Sequence, residues 1–115
     1  MKLTTTQKWR RTLAWLRRNF PPSSKVSVRS LEIKEHGCTT FGYAPMVGSF
    51  EIQINRKKSF SLRIDTLLHE WAHCVTWLGA ETDIEDHSAE WGVAYAKIYR
   101  TFLEWNYGRE GSLED

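Results

Sequence analysis

The sequence predicts an α+β domain: one helix, then a small, mostly antiparallel three-stranded sheet, then two further helices. Three observations carry that prediction. Apolar residues recur at helical spacing near the N-terminus and again through most of the second half of the chain. They alternate with polar residues between Lys25 and Asn55. Prolines, glycines and serines stand where one pattern gives way to the other. With 115 residues, 41% of them hydrophobic and 26% charged, the chain is sized for a single domain spanning 1–115 and is too apolar to be disordered.

The first helix is expected over Thr4 to Phe20. Threonines are available to cap it, and Trp9, Leu13, Leu16 and Phe20 repeat at spacings of four, three and four, with arginines on the other faces. Pro21 and Pro22 end it. Lys25 to Glu35 alternates as a strand, and the break of phase at Ser30 predicts a bulge or bend. His36-Gly37 reads as a turn and Thr39 to Ala44 as a short second strand. Ser49 to Asn55 is the clearest strand, with Phe50, Ile52 and Ile54 alternating with Glu51 and Gln53. Arg56-Lys57-Lys58 reads as a solvated connection. A helix from Ser61 to Leu78 would bury Leu62, Leu67, Leu68, Trp71, Val75 and Leu78, and Gly79 suits its end. Thr82-Asp83-Ile84-Glu85 has the form of a capping box. Trp91, Tyr95, Ile98, Phe102 and Trp105 then carry the apolar face of a last helix as far as Tyr107, and Gly108 to Asp115 reads as an acidic tail.

The stretch that carries chemistry is His69-Glu70-Trp71-Ala72-His73, inside the second predicted helix. Residues four apart on a helix lie about 40° apart around the axis and roughly 6 Å along it. His69 and His73 therefore leave one face side by side, where both imidazoles can bind one Zn²⁺. Glu70 directly follows the first histidine, the position from which a carboxylate takes a proton from a water on that ion. The pattern points to a zinc hydrolase of the zincin type.

A catalytic zinc usually has three protein ligands. The connection Gly79 to Thr82 is short, so the two flanking helices should form an antiparallel hairpin. His73 precedes that turn and His87 follows it at similar remove, which sets them at similar height across an interaxial gap of about 8–10 Å. His87 is the third ligand on this reading. Glu90, one turn further along and facing the same way, competes for the role. The oxyanion of a hydrolytic transition state needs a further donor, for which Tyr43, Tyr95 and Tyr99 are candidates.

Charge and cysteine usage bound the setting. Net charge is only +2, but the first 35 residues hold nine basic residues against Glu32 and Glu35, and the last 35 hold nine acids against Lys97, Arg100 and Arg109. A basic N-terminal helix with Trp9 and Trp15 could contact nucleic acid or an acidic partner; the plainer account is a solvated helix face balanced by the acidic end of the same chain. No secretory signal or membrane span is visible. Cys38 and Cys74 lack zinc-ribbon spacing and are expected as free thiols in a cytoplasmic protein.

From about Thr39 to Arg100 the chain resembles the SprT-like (Spartan-type) zinc metallopeptidases. The resemblance rests on Phe41-Gly42-Tyr43 with Phe50-Glu51-Ile52-Gln53-Ile54, on His69-Glu70-Trp71-Ala72-His73, and on His87-x-x-Glu90-Trp91, with Ser88 where that last element usually has glycine. It implies a minimal zincin fold, His87 as third zinc ligand, Glu70 as general base, and an extended protein or peptide substrate pairing with the strand beside the cleft. A weaker resemblance is to the compact metallopeptidases of phages and mobile elements that cut repressors. There the third ligand is a glutamate, which would give the role to Glu90.

Overall fold

Thr4 starts the first helix by accepting a hydrogen bond from the Gln7 amide through its hydroxyl, while the Gln7 side chain accepts from the Thr4 amide. The computed structural model of the chain describes residues 3–22, 24–42, 49–76 and 89–107. In it α1 spans Thr5–Asn19, with Arg17 and Arg18 in the last turn where they complement the helix dipole. Three strands follow, β1 (Val26–Leu31), β2 (Gly37–Gly42) and β3 (Ser49–Asn55), and then the helices α2 (Phe60–Thr76) and α3 (Ala89–Tyr107). The layout is the α+β arrangement expected of the sequence. The predicted cap at Thr82, the glycine at 79 and the acidic tail lie outside the described residues.

The sheet is mixed, in the order β1-β3-β2. β2 pairs antiparallel with β3, Thr39 opposite Ile52, whereas β1 runs parallel to β3, Val26 opposite Phe50. β3 takes the centre because it is the most apolar of the three: Phe50, Ile52 and Ile54 are all buried. The break of phase at Ser30 does not produce a bulge. β1 runs through it in unbroken register, Ser30 opposite Ile54, and the serine hydroxyl accepts a hydrogen bond of 3.1 Å from Arg63 of α2. Ser30 is exposed on β1, so its polarity breaks the alternation without calling for a bulge. The strand stops at Leu31, short of the expected Glu35. There the buried Asn55 amide donates to the carbonyls of Ile33 and Glu35, at 2.8 and 3.1 Å, and folds the segment across the end of β3.

α2 is the central element and packs on α3, β3, β2 and α1. Its buried stripe of Ile64, Leu67, Leu68, Trp71 and Cys74 meets the inner face of β3 together with Trp15 and Leu16 of α1 and Ile98 and Phe102 of α3. Trp71 is fully buried, and its indole N–H donates to the Phe20 carbonyl at 2.8 Å, fixing the end of α1 to the middle of α2. Trp15 stacks on Trp105 with ring centroids 5.1 Å apart, which fastens α1 to α3. Gly37 marks where β2 meets α2 most closely: a Cβ there would stand 2.6 Å from the Thr66 methyl and 3.0 Å from the Gln53 carbonyl. Among the described residues no helix is long and apolar enough to cross a membrane.

Candidate metal centre

The site is built on α2, which begins where the Ser59 hydroxyl accepts from the Leu62 amide at 3.3 Å. The helix then runs unbroken through the whole motif, so the i, i+4 relation of His69 and His73 is realised. Their ring centroids are 5.2 Å apart, and ligand atoms of His69, Glu70 and His73 all lie within 4.8 Å of one another. Two imidazoles on one zinc each stand about 2.0–2.1 Å from it, so ligand atoms this close are compatible with one shared ion. The donors are of the kind zinc takes, and the residues present fit it.

Glu70 is held from two sides. Its Oε1 accepts a 2.6 Å hydrogen bond from the Thr39 hydroxyl of β2, and its Oε2 stands 3.7 Å from His69 Nε2. The side chain is 9% exposed, against 32% for His69, so the imidazole opens to solvent and the carboxylate is sheltered. One carboxylate oxygen is anchored to the sheet and the other faces the His69 imidazole.

Trp91 of α3 covers the histidines. Its ring stacks on His73 at 5.3 Å, meets His69 edge-on at 4.8 Å, and its N–H donates to the His69 carbonyl at 3.2 Å. Beside it Tyr95 comes within 5.5 Å of the His69 ring, centroid to centroid. An open cleft of about 390 Å³ adjoins His69 and Glu70 and is lined also by His36, Gly37, Asp65 and Tyr95. The Tyr95 phenol is pushed up by burial and then by the charges of Asp65 and Tyr99, so it stays protonated at neutral pH and can donate. Burial likewise raises the Asp65 carboxyl.

The structure brings together His69, Glu70, His73 and Tyr95. Tyr99 is more exposed, 6.2 Å from the Tyr95 ring, and does not line the cleft. Glu90 is exposed in the first turn of α3 and is not among the converging donors. His87 and Tyr43 lie outside the described residues. Cys38 and Cys74 are free thiols. Cys74 is pushed up to about 12, first by burial and then by Glu70, and Cys38 is raised by burial and then by Glu70, Glu35 and Glu51. Both therefore stay neutral and neither offers a thiolate at pH 7. Of the two tryptophans on the basic helix, Trp15 is buried in the core, and Trp9 lies under the Arg63 guanidinium at 4.8 Å.

Three participants carry no motif in the sequence. Thr39 is an ordinary strand threonine, and His36 reads as a loop residue. Asp65 could have been found, because it extends the His69–His73 stripe back by one helical turn. Compared with known proteins, the chain matches no family model, no curated protein and no solved structure.

Proposed function

We propose that the protein is a zinc-dependent metallopeptidase of the SprT-like kind, in which His69, His73 and His87 hold the ion and Glu70 is the general base. One observation carries this reading: ligand atoms of two histidines and a sheltered, hydrogen-bonded glutamate lie within 4.8 Å of one another on α2, and His69 and Glu70 line an open cleft. The position of Trp91 supports His87 as the third ligand. His87 precedes Trp91, which touches both imidazoles, by four residues, a chain length of at most about 14 Å.

Zinc held there would polarise the scissile carbonyl and lower the pKa of a water at the site. The protein's own groups do the rest. Glu70, anchored through Oε1 by Thr39, accepts the proton of the attacking water and later delivers it to the leaving amine. Tyr95, protonated and on the cleft wall, donates to the oxyanion as it develops. β2 lies at the sheet edge, and its Gly37 lines the cleft, so an extended polypeptide substrate can run alongside it. The proposed compartment is the cytoplasm, in keeping with two free thiols.

The test pairs metal analysis with cleavage of unfolded protein substrates. Protein purified without added metal is expected to carry one zinc per chain. Glu70→Gln keeps the zinc and loses about 10²–10⁴-fold in kcat. His87→Ala loses zinc, whereas Glu90→Ala retains it. A Glu70→Gln variant cutting at the full rate removes Glu70 from the mechanism, and retention of zinc by His87→Ala with its loss by Glu90→Ala transfers the ligand role.

A further inference from the structure

Asp65 lies one helical turn before His69 on α2 and lines the same cleft as His69, Glu70 and Tyr95. At a rise of 1.5 Å per residue it stands about 6 Å along the helix from His69. The carboxylate is half-buried, and among the described residues no hydrogen bond or ion pair reaches it. Arg63, the basic side chain nearest in sequence, is engaged elsewhere, with Ser30 and over Trp9. A carboxylate set into a cleft wall without a counter-charge attracts a cation and repels an acid. Tyr95, whose phenol feels the Asp65 charge, adds an aromatic face on which a cation can rest.

We propose that Asp65 forms a subsite for a cationic group of the peptide substrate, a lysine or arginine side chain or a free amino terminus, close to the bond that is cut. This rests on the peptidase reading and names its substrate class. An extended peptide advances about 3.3 Å per residue, so the 6 Å offset places the cation within about two residues of the scissile bond.

The experiment uses blocked decapeptides of one alanine-rich scaffold carrying lysine, glutamine or glutamate at each scanned position, with an unblocked glutamine peptide beside them. The zinc-loaded wild type is expected to favour lysine over glutamine about tenfold in kcat/KM at one position, and to disfavour glutamate there. Asp65→Asn brings the lysine-to-glutamine ratio close to one, and Asp65→Lys inverts the lysine-to-glutamate order. A gain confined to the unblocked peptide assigns the subsite to an amino terminus. Equal rates for all peptides on the wild type, or a lysine preference that survives in Asp65→Asn, overturn the proposal. If no peptide is cut, the peptidase reading fails, and the subsite is decided by binding to the metal-free protein, followed through tryptophan fluorescence. Tighter binding of the lysine peptide by wild type than by Asp65→Asn supports the subsite, and equal binding overturns it.

Discussion

The hydrogen bond from Thr39 to Glu70 joins strand and helix at a carboxylate oxygen of the proposed general base. A 2.6 Å bond to a carboxylate is charge-assisted, and such bonds contribute about 1.5–3 kcal/mol. Thr39→Val is expected to lower kcat by about ten- to a hundredfold with little change in KM or zinc content, and Thr39→Ser to restore most of the loss, as steady-state kinetics with metal analysis would show. Loss of zinc in Thr39→Val would mark the residue as structural instead. Cys74 gives a second prediction. Its folded pKa of about 12 lies above the value of 9.0 it takes unperturbed, so the ionised form is disfavoured in the fold. The sign follows: this thiol costs no stability below about pH 9 and becomes destabilising as pH rises beyond it. Alkylation at pH 8 should leave Cys74 unlabelled until denaturant is added, as mass spectrometry of the peptides would show. The two histidines and Glu70 were legible from spacing alone. Thr39 was not, because its role depends on a helix thirty-one residues away.

At the scale of elements, the close contact at Gly37 fixes how α2 sits on the sheet. Its neighbour there cannot simply rotate away, since the Thr66 hydroxyl already donates to the Leu62 carbonyl at 2.8 Å, and the second contact is backbone. Gly37→Ala is therefore expected to destabilise by about 1–3 kcal/mol, measured by urea denaturation, with Thr66→Ser in the same chain recovering part of it. Much of the element pattern could be read in advance. β3 occupies Ser49–Asn55 as its alternation predicts, and α1 ends within a residue of its predicted bounds, Thr4 and Phe20, at each side. β1 was read too long and with a bulge or bend, because alternation cannot show that Ser30 sits on an exposed position of an unbroken strand or that Asn55 pulls the next residues off it. Gly37 opens β2 and does not sit in a turn, and there it lies against Thr66 with no room for a side chain.

For the molecule as a whole, α1 is held by aromatic anchors: Trp71 to Phe20 by a hydrogen bond, and Trp15 to Phe102 and Trp105 by ring contacts. Trp71→Phe leaves the Phe20 carbonyl without that donor and removes ring volume from a fully buried site. The expected cost is about 2–3 kcal/mol, a fall in Tm of about 8–12 °C by calorimetry. The fold class was legible, but the strand order was not, since it depends on pairings between residues about 24 apart, such as Val26 with Phe50. That order bears on how the chain folds as it is made. β1 and β2 do not pair with each other, so a nascent chain released only to residue 48 holds two strands lacking a common neighbour. Emergence of the next seven residues from the ribosome supplies both ladders together, and sheet assembly waits for that moment before zipping along either flank.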